Sequence, residues 1–236
     1  HPLSIQYPLL DAEINCLGNL KLLEAVRQLN KQGVVVYTSS STVIGKALHE
    51  VVDEDHWERP LEIYSANKGV AEKYYRIYHT IHDLNTVVLR FANLYGPYGK
   101  GYPEFGFINY FIHLAWQNKE IRIFGSGEQT RNVMYVEDAT DILWQIAGKK
   151  KLAGETYFAT GVEHFSVAEI AKKIVSVLGR GKVTHIEWPE DRRRIEIEDV
   201  KFSSARLQSA VNWKPVWNFE SGLKKTKELL EQMEKS

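Results

Sequence analysis

The stretch Val34-Val-Val-Tyr-Thr-Ser-Ser-Ser-Thr-Val-Ile-Gly45 constrains the fold more than any other part of the chain. Residues 34–38 are apolar or β-branched without alternation, the habit of a strand covered on both faces in a parallel sheet. A second such run, 86–91, follows a helical stretch from about residue 64 to 82. Strand, helix, strand in that order predicts a doubly wound α/β fold built on a parallel sheet. The hydroxyl-rich turn after the first strand then lies at a strand's carboxyl end, where open α/β sheets bind ligands.

The alternation continues to the end of the chain. Periodicity predicts helices at 14–29, 107–117, 137–146 and 219–233, and strands at 121–124, 156–159 and 183–187. Ser166 and Glu169 form a capping-box pattern that opens a helix to Leu178. Residues 95–106, rich in Gly, Pro and Tyr, read as an ordered loop near a site. The second half reads as a smaller α/β lobe.

Composition removes several function classes. The 236 residues carry 30 Lys+Arg and 30 Asp+Glu, a net charge of zero. That balance argues against a nucleic-acid partner and against polybasic attachment to a membrane. No apolar run reaches the ~18 residues of a membrane helix. The single cysteine, Cys16, allows no intramolecular disulfide, so a cytoplasmic location is expected. A lone Cys in an apolar helical stretch is more often a small hydrophobe than a nucleophile. No metal-binding set is assigned.

The sharpest chemical feature is Tyr64-Ser-Ala-Asn-Lys68. Positions four apart share one helix face, so the phenol and the ammonium reach one small volume. A phenol near pKa 10 is a poor base at pH 7, and a fixed positive charge favours the phenolate. Alone the pattern is weak, since a solvated helix face produces it by chance. It gains weight from the upstream strand and Ser turn, whose hydroxyls can relay a proton with a tyrosinate.

At this point the chain resembles the extended short-chain dehydrogenase/reductase family, in its nucleotide-sugar epimerase/dehydratase branch. The matching segments are Asn15-Cys-Leu-Gly18 with Leu22-Leu-Glu-Ala25, the Ser39-Ser-Ser-Thr-Val-Ile-Gly45 turn, and the Tyr64/Lys68 pair. They continue with Arg90-Phe-Ala-Asn-Leu-Tyr-Gly-Pro97, Gly125-Ser-Gly-Glu-Gln-Thr-Arg-Asn132, Val136-Glu-Asp138 and Asn212-Trp-Lys-Pro215. The resemblance implies a partial Rossmann domain over 1–95 and, over 96–236, mainly a substrate lobe with segments returning to the sheet. It implies NAD as cofactor, a nucleotide-diphosphate sugar as substrate and a homodimer through the helix carrying Tyr64 and the one before it.

The same resemblance implies site roles. Ser40, Tyr64 and Lys68 would be catalytic, with Tyr64 as base or acid and Lys68 on the nicotinamide ribose and lowering the Tyr pKa. Asn15, Ser39, Tyr64, Lys68, Phe91 and Ala92 would line the cofactor. Ser40, Asn93 and Arg131 would meet the sugar or its diphosphate. A second phosphate-binding Arg is expected among Arg192, Arg193 and Arg194, with Arg192 favoured and Arg193 close behind.

Three departures qualify the match. No Gly-x-x-Gly-x-x-Gly loop is present to cradle a pyrophosphate at a helix N-terminus. The chain therefore reads as following the first β/α units of such a fold, and by itself is expected to bind NAD weakly, to show no turnover, and to self-associate through the edge of strand 34–38. Asn132 stands where the family carries Asp, which puts the local network in question. Ser41 and Thr42 stand where dehydratases and decarboxylases place acids, which favours an epimerase most like the UDP-glucose 4-epimerases. In such an enzyme Tyr64, aided by Ser40, takes the sugar hydroxyl proton while hydride passes to NAD; the keto sugar then turns and receives the hydride on its other face. The alternatives are a dehydratase or reductase of the same branch, or a non-catalytic module that binds nucleotide sugars.

Overall fold

The computed structural model describes residues 2–193 and 199–235. In chain order its elements begin with helices α1 (Pro2–Gln6) and α2 (Pro8–Ala12), a π-helical turn (Glu13–Leu17), α3 (Gly18–Leu29), β1 (Val34–Ser40) and β2 (Val51–Val52). Then come α4 (Ile63–His82), β3 (Asn85–Phe91), β4 (Asn93–Tyr95), α5 (Phe107–Trp116), β5 (Glu120–Phe124), β6 (Thr130–Tyr135) and α6 (Val136–Ile146). The rest are β7 (Thr156–Ala159), β8 (Glu163–Ser166), α7 (Val167–Leu178), β9 (Lys182–Ile186), α8 (Glu190–Arg193), β10 (Lys201–Phe202), α9 (Ala205–Val211) and α10 (Phe219–Met233). The chain divides into two compact units, one of residues 1–92, 139–159 and 202–214, the other of 93–138, 160–201 and 215–236.

The first unit is built on a parallel sheet in the order β1-β3-β7. The doubly wound reading of the sequence holds here, with β1 and β3 in register from Val34–Asn85 to Ser40–Phe91. β3 is the middle strand, and every residue from Thr86 to Phe91 is buried. β1 has the open edge expected of it among the described residues, but departs from the expectation of a strand covered on both faces. Val34 to Val36 are half-buried and Thr38 is exposed, because β1 forms the edge of this sheet and no described strand pairs with its other side. Leu23 of α3, Tyr37 of β1, and Ala71, Tyr75 and Tyr78 of α4 close one apolar core with Leu84 and Val88. The Tyr37 and Tyr75 rings stack at 4.7 Å, so β1 and α4 are locked face to face. α4 ends where Asp83 turns left-handed at φ 58° and its amide caps the last turn.

The second unit pairs β4 with β6 in parallel and β6 with β8 antiparallel, and joins β5 to β9. α5, α7 and α10 supply its core, in which Ile108, Phe111, Ile121, Ile170, Ile174, Phe219 and Leu223 are buried together. The capping box forms as read: Ser166 Oγ accepts from the Glu169 amide at 3.1 Å, and Glu169 Oε2 accepts from the Ser166 amide at 2.8 Å. β6 and β8 were not legible as strands, since Thr-Arg-Asn-Val-Met-Tyr and Glu-His-Phe-Ser lack a clean two-residue alternation.

Candidate active site

The turn after β1 is fixed by local geometry. Ser40 is still extended, and its Oγ accepts from the Thr42 amide at 3.2 Å, which caps a short 3₁₀ turn over Ser41–Ile44. Gly45 follows at φ +59°, where a Cβ would fall 1.8 Å from the Arg59 carbonyl oxygen. Only glycine fits there, which explains the glycine of the motif. Ile44 is fully buried and is the turn's apolar anchor.

α4 opens at Ile63, and Tyr64 stands in its first turn with Lys68 one turn on. The Tyr64 amide, unpaired within the helix, donates to Ser4 Oγ at 3.1 Å. The Ser40 side chain lies near enough to the Tyr64 phenol to draw its pKa down. The structure thus brings Ser40, Tyr64 and Lys68 into one neighbourhood. A run of hydroxyls extends from it: Ser40 Oγ lies 2.9 Å from Thr42 Oγ1, which lies 2.8 Å from Ser65 Oγ, and Ser65 donates to Glu62 Oε1 at 3.0 Å.

The electrostatics differ from the expectation that Lys68 lowers the Tyr64 pKa. Burial pushes the Tyr64 phenol up to about 12, the Glu62 and Asp11 charges add to this, and only the Ser40 side chain opposes it. Lys68 is turned elsewhere: Nζ donates to the Thr38 carbonyl at 2.7 Å and sits 4.5 Å over the Tyr37 ring, against 5.9 Å from the Tyr64 ring. Burial also holds the Lys68 pKa below its usual value, opposed by Glu72 and then Asp11. To act as a base at pH 7 the phenol must fall from about 12 to about 7, or about 7 kcal/mol at ~1.4 kcal/mol per pKa unit.

The other residues expected on the cofactor side lie in the π-helical turn and at the ends of β1 and β3. Asn15 sits half-buried in the π-helical turn, and its carbonyl accepts from Asn19 Nδ2 at 2.8 Å. Phe91 is buried opposite Ser40 on β3, and the Ala92 amide donates to the Ala159 carbonyl at 3.2 Å. Ser39 is buried, and its hydroxyl donates to Glu72 Oε1. Cys16 is half-buried against Asn67, with Sγ 3.3 Å from Oδ1, and burial raises its thiol pKa, which disfavours the nucleophilic thiolate.

In the second unit, Asn93 Nδ2 donates to the Asn132 carbonyl at 2.8 Å. Arg131 is half-buried on β6, and its Nη1 donates to the Thr130 carbonyl at 2.7 Å. Asn132 is 2 % exposed; its Nδ2 donates to the carbonyls of Gly161 and Glu163, and its Oδ1 accepts from the Gly161 amide. The missing charge is therefore replaced by an amide whose two donors and one acceptor are all used. Asp138 is likewise buried and accepts from the Val216 and Trp217 amides. Arg193 is exposed on α8; the Arg192 side chain and all of Arg194 lie outside the described residues.

The main feature that motif reading missed is a buried charge network. Arg90 of β3 donates through Nε and Nη2 to both Glu72 oxygens, with Nη2–Oε2 at 2.6 Å, and through Nη2 to Glu58 at 3.0 Å. Its guanidinium packs 5.4 Å from the Phe158 ring. Arg90 was visible only as a letter of a motif, and Glu72 lies on the Tyr64/Lys68 face of α4, which was the one available signal.

The family model of the NAD dependent epimerase/dehydratase family matches residues 1–159. The chain belongs to that family. It is 30% identical over 224 residues to a putative UDP-glucose 4-epimerase of Methanocaldococcus jannaschii, covering 94% of this chain and 70% of that protein. It is 28% identical over 220 residues to the human dTDP-D-glucose 4,6-dehydratase, covering 90% of this chain and 60% of that one. The fold matches the Thermus thermophilus UDP-glucose 4-epimerase solved with NAD at a TM-score of 0.86, with 25% identity, over 97% of this chain and 73% of the other. Membership makes this a chain of the nucleotide-sugar epimerase/dehydratase family, whose cofactor is NAD. No helix among the described residues is long and apolar enough to cross a membrane.

Proposed function

We propose that this protein is an NAD-dependent epimerase of a nucleotide-diphosphate sugar, of the UDP-glucose 4-epimerase kind. The observation that carries the reading is the Ser40–Tyr64 contact at the carboxyl end of β1, with Lys68 one turn along α4 and Thr42 rather than an acid beside Ser40. The donor chemistry fits the nicotinamide-ribose end of NAD: Lys68 has two N–H donors beyond the one given to Thr38, and the Tyr64 phenol stands on the same helix face. Asn15, Ser39, Phe91 and Ala92 would border that end. NAD, when bound, supplies a cationic ring that takes up a hydride and gives it back.

The chain's own residues supply the proton chemistry. Tyr64 takes the proton of the sugar hydroxyl as that carbon is oxidised, and Ser40 donates to the same sugar oxygen. Lys68 favours the phenolate once the site closes around a substrate and water is excluded. Tyr64 then returns the proton when the ketone is reduced from its other face. Asn93, Arg131 and either Arg192 or Arg193 are the proposed contacts to the diphosphate and sugar, which suits the planar guanidinium fork. Exposed Leu22, Val70, Ile77 and Ile81 on α3 and α4 support a second copy of this chain as the partner.

A dehydration needs an extra acid at the sugar for proton transfer to the leaving hydroxyl. The residues beside Ser40 are Ser41, which is buried, and Thr42, whose hydroxyl is engaged with Ser40 and Ser65. A coupled assay on the NAD-loaded, full-length protein with UDP-, GDP-, CDP- and dTDP-sugars tests the reading. Interconversion of 4-epimers supports it, and a dehydrated product or none at all overturns it.

A further inference from the structure

We propose that Glu72 is a positioning residue for this reaction, a clamp that holds the helix bearing Tyr64 and Lys68 against the strand end bearing Ser40. The proposal rests on the catalytic reading of those three residues. Glu72 lies eight residues after Tyr64 and four after Lys68, on the same face of α4. It is 5 % exposed. Its carboxylate accepts from the hydroxyl of Ser39, the residue directly before Ser40, and from Nε and Nη2 of Arg90. One side chain thereby joins α4, the end of β1 and the end of β3. Those are the three elements whose termini carry Ser40, Tyr64, Lys68, Phe91 and Ala92.

A purely stabilising role does not account for this arrangement. A buried ion pair is weak evidence for stability, because desolvation cancels much of its attraction, and apolar replacement of both partners is often neutral. Here the carboxylate also holds the neighbour of Ser40, and it acts on Lys68. Lys68 is faced by Glu72 on its own helix, Asp11 on α2, the Tyr37 ring of β1 and the Tyr64 phenol. Burial disfavours the Lys68 charge, and Glu72 is the first of the two anions that sustain it. Reactions of this kind are sensitive to ångström-scale misplacement, which costs up to about 100-fold in rate.

The test uses three variants of the NAD-loaded, full-length protein, with UDP-glucose as the probe and Tyr64→Phe as the control. In Glu72→Gln, a titration of the Lys68 side chain by NMR in the protein without substrate is expected to show its pKa falling below that of the parent. In the double variant Glu72→Leu with Arg90→Met, the melting temperature is expected to return close to the parent's while kcat stays about 10- to 100-fold low and KM holds. Ser39→Ala removes one hydrogen bond and no charge, so it folds even if the others do not, and is expected to lower kcat about 3- to 10-fold at unchanged KM. Recovery of kcat together with melting temperature in the double variant, an unmoved Lys68 pKa, or full kcat in Ser39→Ala overturns the proposal. Full activity in Tyr64→Phe would instead overturn the catalytic reading beneath it.

Discussion

The two units satisfy their buried polar groups in different ways. The first buries ions: Arg90 and Glu72 are 4 % and 5 % exposed and hydrogen-bonded to each other. The second buries a neutral amide, Asn132, which meets two carbonyls and one backbone amide, and a carboxylate, Asp138, which accepts from two backbone amides. Burying charge costs several kcal/mol per ion unless geometry is good, whereas a satisfied amide costs little. The difference teaches that the first unit meets its buried carboxylate with a cation and the second with backbone amides. The first carries Ser40, Tyr64 and Lys68, the groups of the proposed proton chemistry, and the second carries Asn93 and Arg131, the proposed diphosphate contacts.

The sharpest way to break that contrast is to remove the proton carrier alone. Tyr64→Phe in the NAD-loaded, full-length protein is expected to lower kcat by about 100-fold or more, the usual worth of a general acid–base group, with KM for the nucleotide sugar nearly unchanged. Steady-state kinetics check this, and near-normal turnover contradicts it. On the binding side, Arg131→Ala is expected to weaken nucleoside diphosphate binding by roughly 2–4 kcal/mol, since it leaves a phosphate without a charge-assisted partner. Calorimetric titration with UDP measures it; a loss below about 0.5 kcal/mol would place Arg131 outside the diphosphate site.

How much of this was legible in the sequence follows from the range over which each interaction acts. The helix Phe219–Met233 and strand Thr156–Ala159 were read with the bounds they have, because local periodicity and apolar runs determine them. The turn at Gly45 and the capping box at Ser166 were legible for the same reason, since both are satisfied within a few residues. The short helices Pro2–Gln6 and Pro8–Ala12 gave no signal, as five residues cannot display a helical period. Ser39 and Arg90 meet Glu72 across 33 and 18 residues, and no spacing rule reaches that far. The pKa of Tyr64 was misjudged because Tyr64 and Lys68 share a helix face, yet Lys68 bends to the Thr38 carbonyl, and burial with Glu62 and Asp11 decides the outcome.

Asn132→Asp sharpens the contrast from the neutral side. An aspartate would face the Gly161 and Glu163 carbonyls with no proton to give, so urea unfolding at pH 7 is expected to show a loss of about 1–3 kcal/mol. Crowded by those carbonyls, its folded-state pKa would lie above its unfolded value. The proton then stabilises the folded variant, so the deficit shrinks below the unfolded pKa of about 4 and grows as pH rises through the folded value. Equal stability at pH 7 would show that the network accepts a charge. The smallest effect is spectroscopic. Burial pushes the Tyr64 phenol up to about 12, so the difference absorbance between the NAD-free protein and its Tyr64→Phe variant is expected to stay flat to about pH 11. Because the folded value exceeds the unfolded value of about 10, the stability from this phenol is full below pH 10 and lost from about 10 to 12. Ionisation near pH 7 in that difference spectrum would contradict the burial argument.

The central claim, epimerisation by proton transfer through Tyr64 with return of the same hydride, is tested most directly in deuterated water. The NAD-loaded, full-length protein is incubated with UDP-glucose, and the products are read by mass and by proton NMR. The account predicts the 4-epimer at unchanged mass, with hydrogen rather than solvent deuterium at carbon 4. A product that has lost one water, or one that carries solvent deuterium on the sugar carbons, would contradict it.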